Sequence, residues 1–70
     1  MTPLQQLGSK IRKLRLDKGF SQEQLGLAAN IDRSYIAQIE NGRRNIAFEN
    51  TVKIARALEV SLSDLVEGIQ

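Results

Sequence analysis

A chain of 70 residues supports one small domain, near the lower size at which a single hydrophobic core folds unaided. It contains no cysteine and no histidine, which excludes disulfides, thiolate metal sites and the most common general base of enzymes. Lysines and arginines outnumber acidic residues eight to four in residues 1–44, whereas acidic residues outnumber them four to two in residues 45–70, a division that suits a polyanion on one side only.

The first predicted helix begins after Thr2 and ends at Gly19. Thr2 can cap the helix, Pro3 is tolerated at its first position, and Gln5 can return the hydrogen bond of a capping box. Gly8 is expected to be a mild flaw in this helix. An apolar stripe at steps of three and four residues is formed by Leu4, Leu7, Ile11 and Leu14.

Two short helices joined by a tight turn are predicted at about residues 21–41. Ser21 opens the first of them with another capping box. Its buried side is expected to consist of Leu25, Ala28 and Ala29. Gly26 permits close approach of the next helix, and Asn30 tolerates the left-handed conformation that the turn needs.

Asp32 is expected to cap the second of these helices. Ile36 and Ile39 face the core. The outward face carries Arg33, Ser34, Ala37 and Gln38. The pair Asn41–Gly42 ends the helix, and a basic turn follows at residues 43–45.

A fourth helix is predicted over residues 48–59, followed by a short fifth helix that Ser61 caps and Gly68 ends. The apolar stripe of the fourth helix is expected to be Phe48, Val52, Ala55 and Leu58, with Ile54 lying off it. No segment alternates apolar and polar residues with the two-residue period of a half-buried strand. The sequence therefore predicts an all-α fold.

The order of these residues resembles the helix-turn-helix of the Cro and phage-repressor family, also called the XRE family. The matching residues are Gln22, Leu25, Ile36, Ile39, Glu40, Asn41 and Gly42. The segment 53–65 is similar to the fourth and fifth helices of that family. The resemblance covers about residues 4–67 and implies a compact five-helix, lambda-repressor-like DNA-binding domain over residues 1–70.

Within this family, the run from Asp32 to Ile36 and the chain length look most like restriction–modification controller proteins, which are small dimeric regulators of paired operator sites. Two positions depart from the family pattern. Asn30 stands where the family often has glycine, and Ile46–Ala47 stands where it often has Pro-Ser. Because alanine cannot cap as serine does, we expect the fourth helix either to start more weakly or to start at another residue, with Asn45 helping.

The resemblance implies that the third helix enters the major groove of double-stranded DNA, N-terminal residues toward the bases. Arg33 is expected to grip O6 and N7 of guanine; the alternative is a pair with Asp32 or a phosphate. Ser34 suits several bases. Gln38 suits adenine or a bridging water, and Ala37 can touch a thymine methyl or simply leave room.

Contacts to the DNA backbone are expected around this helix, where they set register and supply salt-dependent affinity. Gln22 heads the second helix, where its amide and the free backbone N–H groups can meet a phosphate. The adjoining backbone is expected to be held by Asn41, Arg43 and Arg44.

Tyr35 and Glu40 have less obvious roles. Tyr35 either approaches a phosphate or base step, as the similarity to controller proteins implies, or packs beside Ile39. Glu40 would repel a phosphate, so we expect an internal ion pair with Arg12 or Arg15.

A monomer reads only a few base pairs, so we expect a homodimer on a palindromic operator, with recognition helices about 34 Å apart. The dimerisation region is expected at about residues 48–67. Its candidate residues are Ile54, Leu58, Leu62, Leu65, Val66 and Ile69. Some of these must serve the monomer core, and the sequence does not separate the two groups.

These expectations describe an operator-specific transcriptional regulator, autoregulatory because no ligand-sensing domain is seen, that controls a restriction–modification system. The alternative is an antitoxin that binds DNA and a toxin protein, although only Gly68–Gln70 follow the last helix. A helical module without a DNA role leaves the shared basic face unexplained. An enzyme is disfavoured because no carboxylate pair, phosphate loop or nucleophile–base pair is present.

We expect no cofactor, metal or small-molecule ligand. RNA polymerase is a candidate second partner. The chain has no apolar run of about 18 residues and no charged-then-apolar leader at its N-terminus. A cytoplasmic protein is therefore expected.

Overall fold

The computed structural model describes residues 1–70 and contains five α-helices and no strand, which confirms the predicted all-α class. The helices are α1 Pro3–Asp17, α2 Gln22–Ala29, α3 Arg33–Glu40, α4 Phe48–Leu58 and α5 Leu62–Val66. α3 packs between α1 and α2, while α4 and α5 close the far side of the core. None of these helices has both the length and the apolar character needed to cross a membrane.

Three helix starts are capped by the side chains that the sequence predicts. The Thr2 hydroxyl accepts from the Gln5 backbone N–H at 3.1 Å, and the Gln5 side chain accepts from the Thr2 N–H at 2.8 Å. The same reciprocal box joins Ser21 and Gln24 at 3.0 and 2.7 Å. The Ser61 hydroxyl accepts from the third backbone N–H of α5 at 2.9 Å. These bonds satisfy amide groups that a helix end otherwise leaves free.

Two helix starts lack a side-chain cap. Asp32 occupies the position before α3, but the expectation that it caps this helix is wrong, because its carboxylate accepts from the Ser34 hydroxyl instead. Ala47 occupies the same position before α4, and no side chain replaces the missing hydroxyl. α4 nevertheless begins at Phe48, the residue predicted from the sequence, so the missing cap does not move its start.

The core consists of ten apolar side chains drawn from all five helices. They are Leu7, Ile11, Leu25, Ala29, Ile36, Ile39, Ile54, Ala55, Leu58 and Leu65. Leu4 and Leu14 are half-buried beside Leu7 and Ile11, so the stripe predicted for α1 is confirmed. On α2, Ala28 is exposed, and its assignment to the buried side is wrong.

The buried face of α4 differs from the predicted stripe. Phe48 is 71% exposed and Val52 is only half-buried, whereas Ile54 is fully buried and Thr51 lies beside it in the core. Both sets of residues follow steps of three and four, so periodicity allows either face to be buried. The helix turns the set that contains Ile54 inward and leaves Phe48 in solvent.

Close helix packing depends on two glycines. A Cβ atom on Gly8 would lie 2.3 Å from the carbonyl oxygen of Ile39, so the bare backbone of α1 lets α3 approach closely. Gly8 is thus required for packing, a role that the sequence did not indicate, in addition to being a mild flaw in the helix. A Cβ on Gly26 would lie 2.6 Å from the carbonyl oxygen of Ile31, which confirms that this glycine admits the next helix.

An ion pair joins the ends of α1 and α4. The Lys18 ammonium contacts the Glu59 carboxylate and also lies 5.6 Å from the centre of the Phe20 ring. The hydrogen bond from Lys18, reinforced by its charge, holds the pKa of the exposed Glu59 carboxyl below its usual range. Glu59 itself ends α4 in the left-handed conformation, with φ at 58°.

Candidate nucleic-acid interface

The turn between α2 and α3 orients the third helix. Asn30 adopts φ 58° and ψ 48°, the left-handed conformation expected from the sequence, and the Ile31 N–H donates to the Gly26 carbonyl at 2.8 Å. Ile36 and Ile39 are then buried at 0% and 2% exposure. With this face anchored in the core, the opposite face of α3 points to solvent.

All four of the predicted base-reading residues lie on that outer face. Arg33, Ser34 and Gln38 are exposed and Ala37 is partly exposed. Gln22, from the start of α2, joins Arg33, Ser34 and Ala37 in lining one shallow cleft. A cleft between the start of one helix and the outer face of the next offers amide, hydroxyl and guanidinium groups together, which suits a phosphate and adjacent base edges.

Beneath this cleft lies a buried ion pair. The Glu40 carboxylate accepts from Arg15 Nε at 2.7 Å and from Arg15 Nη2 at 3.0 Å, which confirms the expected internal partner. Arg15 Nη1 also donates to the Phe20 carbonyl at 2.8 Å. Gln22 Nε2 donates to Glu40 Oε1 at 3.2 Å, a contact that sequence spacing did not indicate. The charge of Glu40 is thereby compensated, and the Gln22 amide is tied to the core.

The loop after α3 folds back over that helix. The Gly42 N–H donates to the Ile39 carbonyl and the Arg43 N–H to the Gln38 carbonyl, each at 3.0 Å, as in a Schellman turn. Gly42 has φ 68°, and a Cβ there would lie 2.9 Å from the Cα of Gln5. The loop is therefore pressed against the start of α1, and its basic residues stay beside the outer face of α3.

One of these basic residues is held in place by α3. The Arg44 guanidinium lies over the Tyr35 ring, 4.5 Å from its centre, and its Nη1 donates to Gln38 Oε1 at 2.9 Å. Tyr35 is half-buried against the core, and its hydroxyl accepts from the Ala47 N–H at 3.4 Å. No sequence pattern indicated this cluster, because it joins a helix to an irregular loop. Asn41 and Arg43 are exposed beside it.

The residues predicted for a dimer surface divide into two groups. Ile54, Leu58 and Leu65 have 0%, 5% and 0% exposure, so their assignment to a partner surface is wrong: the monomer core contains them. Leu62 and Ile69 are half-buried against that core, and Val66 is 45% exposed. Phe48, which was predicted to lie in the apolar stripe of α4, is more exposed than Val66.

No group of three or more acidic side chains lies close enough together to hold a metal ion. The polar groups that do converge are arginine, glutamine and serine side chains on the outer face of α3 and the loop after it. These are donors suited to an anionic, acceptor-rich partner.

Comparison with known proteins identifies the family. A helix-turn-helix family model matches residues 11–65. Control protein C.MunI from Mycoplasma sp. is 41% identical over 64 residues, which span 90% of this chain and 86% of that protein. Control protein C.BamHI from Bacillus amyloliquefaciens is 43% identical over 61 residues, which span 86% and 75% of the two chains.

The fold agrees with this assignment. The crystal structure of the restriction–modification controller protein C.AhdI from Aeromonas hydrophila superposes with a TM-score of 0.87 at 40% identity, covering 89% of this chain and 94% of that one. The structure of the controller protein C.Esp1396I gives a TM-score of 0.88 at 36% identity, covering 99% and 90%. The chain thus belongs to the XRE-type helix-turn-helix family, as a DNA-binding transcriptional regulator of the controller-protein type.

Proposed function

We propose that this protein binds a palindromic operator as a homodimer, with α3 of each subunit in the major groove. The observation that carries the proposal is the outer face of α3, where Arg33, Ser34 and Gln38 are exposed while Ile36 and Ile39 fix the helix to the core. The major groove admits one helix and shows a distinct set of donors and acceptors for each base pair.

Arg33 is the proposed principal base reader. It is the first residue of α3, and the N-terminal residues of a recognition helix approach the base edges. Its guanidinium makes no hydrogen bond or ion pair within the chain, so it is available to grip O6 and N7 of guanine together. Ser34, Ala37 and Gln38 complete the proposed reading set.

A second group is proposed to contact the DNA backbone. It consists of Gln22, Tyr35, Asn41, Arg43 and Arg44, all at the margins of the outer face of α3. Their contacts would set register and contribute affinity that falls as salt concentration rises. The Arg15–Glu40 pair supports this arrangement, because it compensates the charge of the carboxylate to which the Gln22 amide donates.

The proposed dimer surface is the outer side of α4. Phe48 and Val52 lie one turn apart there, and with Glu49, Lys53 and Arg56 they line a shallow hollow. A two-fold interface places one patch against its own copy. A patch that carries both an acid and two bases around an apolar centre can pair with itself, since Glu49 of each subunit can meet a base of its partner.

Regulation of its own promoter, together with control of a restriction–modification system, is proposed from the controller-type relatives. Autoregulation predicts that the operator lies upstream of its own coding sequence. Deletion of that operator should change expression from the promoter, and unchanged expression would contradict this part of the proposal.

The experiment that tests the DNA proposal is selection of bound duplexes from a random pool at two salt concentrations. Wild type should yield a palindromic consensus with half-sites about one helical turn apart. Arg33→Ala should lose a guanine preference of about 1–3 kcal/mol. Arg43→Ala is the matched control: it removes an equal charge from the loop and should weaken binding to all sequences alike.

Two results would overturn this proposal. Binding without any consensus would indicate a non-specific DNA-coating protein. Absence of binding at low salt would indicate that the outer face of α3 meets a protein, and a toxin would then become the partner to seek.

A further inference from the structure

We propose that Arg44 sets the base preference of Gln38, so that the two side chains select guanine over adenine at one position of each half-site. This inference rests on the proposed placement of α3 in the major groove. It assigns Arg44 a role in specificity in addition to contact with the DNA backbone.

The position of Arg44 is fixed from two sides. Its guanidinium stacks on the Tyr35 ring at 4.5 Å from the ring centre, and its Nη1 donates to Gln38 Oε1 at 2.9 Å. Tyr35 is itself anchored, because it packs against the core and accepts from the Ala47 N–H. A planar guanidinium suits this combination of stacking and directed hydrogen bonding, which a lysine ammonium cannot reproduce.

The backbone brings the two residues together. Arg43, the neighbour of Arg44, donates its N–H to the Gln38 carbonyl at 3.0 Å, and the left-handed Gly42 turns the chain back toward α3. Gly42 is in turn packed against Gln5 of α1. The loop therefore contacts Gln38 twice: Arg43 bonds its backbone carbonyl and Arg44 bonds its side chain.

The contact determines which end of the Gln38 amide faces outward. Arginine has only donors, so the oxygen of the amide must face Arg44 and the nitrogen must point away from it. The Gln38 Nε2 and the remaining N–H groups of Arg44 are all donors. Together these donors form the surface that faces outward, and the positive charge of Arg44 lies beside Oε1 of Gln38, the one acceptor of the pair.

Base edges in the major groove respond differently to such a surface. Guanine offers two adjacent acceptors, N7 and O6, whereas adenine offers the acceptor N7 and the donor N6–H₂. An unrestrained glutamine recognises adenine by donating to N7 and accepting from N6, which requires its oxygen. Arg44 already donates to that oxygen and places a positive charge beside it, so a second donor, the adenine amino group, is disfavoured there although an amide oxygen has two lone pairs. Guanine is the base that satisfies the pair.

The test compares the base selected opposite Gln38 in wild type and variants. Gln38→Ala first locates the position, as the one where its consensus differs from that of wild type. Duplexes that differ only in guanine or adenine there are then titrated with wild type, Arg44→Ala and Arg44→Lys. Arg43→Ala is the matched control, an exposed arginine of the same loop that forms no ion pair and stacks on no aromatic ring.

We expect wild type to prefer guanine. Arg44→Ala should reduce the guanine-to-adenine ratio by about tenfold or more, because the Gln38 oxygen becomes free to accept from adenine. Arg44→Lys should lose the same preference while keeping the charge, and hence most of the salt dependence. Arg43→Ala should weaken both duplexes equally and leave their ratio unchanged.

Several outcomes would overturn the inference. A wild-type preference for adenine at this position would show that Arg44 does not hold the oxygen in the complex. Equal weakening of both duplexes by Arg44→Ala would reduce Arg44 to a backbone contact. If Gln38→Ala selects the same clear consensus as wild type, Gln38 reads no base. The inference about Arg44 then fails, while the proposed binding of an operator stands. If wild type gives no consensus at all, the proposed function fails with it.

Discussion

At Gly8, a missing side chain sets the distance between α1 and α3. Replacement by alanine would put a Cβ 2.3 Å from the Ile39 carbonyl oxygen and 2.8 Å from that of Glu40, and neither backbone atom can rotate away. Alanine favours the helix by about 1 kcal/mol over glycine, but overpacking of a close contact costs about 1–3 kcal/mol or more. We therefore expect Gly8→Ala to destabilise the protein.

Urea unfolding followed by circular dichroism would measure this change in the free energy of unfolding. Ser9→Ala is the control, because Ser9 is the next residue of the same helix and is exposed. Its effect should stay within about 0.5 kcal/mol. A Gly8→Ala protein as stable as wild type would mean that α1 and α3 can separate without loss, contrary to the close packing described above.

Capping residues and tight-turn residues could be predicted from the sequence, because each acts on neighbours along the chain. Thr2, Ser21 and Asn30 illustrate this, and all three take the expected conformation. Gly8 could not be interpreted correctly in this way, since its constraint comes from α3. Arg44 is similar: its partners Tyr35 and Gln38 lie on a helix, and only the folded loop brings them together.

Among the helices, the pairing of α1 with α3 depends on a buried ion pair as well as on Gly8. Arg15 and Glu40 are 6% and 9% exposed, and their charges compensate each other out of water. Removal of one partner leaves the other charge buried, which costs about 3–5 kcal/mol. Glu40→Gln should therefore lower the free energy of unfolding by that amount at neutral pH. Replacement of both by apolar residues, Arg15→Met with Glu40→Leu, should cost less than this single change.

Denaturant titration of the single and double variants would check this order. Glu23→Gln is the control for loss of a carboxylate, because Glu23 is exposed in the first turn of α2 and lies outside the proposed dimer surface. If the double variant were less stable than Glu40→Gln, the attraction between Arg15 and Glu40 would exceed the cost of removing the two charges from water. That result would contradict the expected penalty for a single buried charge.

For α4, the sequence predicts the helix but not which face it buries. Two overlapping sets of residues satisfy the helical period, and they differ in whether Phe48 or Ile54 lies inside. The choice depends on how α4 packs against α2 and α5, which no local pattern specifies. Large apolar side chains are usually buried, and here that tendency gave the wrong face. The same uncertainty explains why the predicted dimer residues included Ile54.

The distribution of charge describes the molecule as a whole. Residues 1–44 carry the basic excess and residues 45–70 the acidic excess. Three ion pairs form within the chain, Lys13 with Asp17, Arg15 with Glu40 and Lys18 with Glu59. What remains free includes Arg33 and Arg43 on the recognition side, and Lys53 and Arg56 beside Glu49 on the outer side of α4. The second group is mixed in sign, which favours a protein partner over DNA.

Phe48 provides the decisive test of how two such molecules associate. It is 71% exposed and lines the mixed-charge patch on α4 that is proposed as the dimer surface. In that proposed dimer, a carboxylate at this position would face its own copy across a two-fold axis and would also remove apolar contact area. We expect Phe48→Asp to weaken the dimer by about a hundredfold or more, measured as the dissociation constant in sedimentation equilibrium.

Leu27→Asp is the matched control, because Leu27 is 76% exposed but lies on α2, outside the patch. It should leave the dissociation constant unchanged, and thermal unfolding of both variants would check that each is folded. Charge reversal gives a second criterion. Glu49→Lys alone should weaken the dimer through like charges, and its combination with Lys53→Glu should restore it, since each new charge again meets its opposite across the axis. A dimer unaffected by Phe48→Asp would place the contact elsewhere, with Val66 on α5 as the next residue to test.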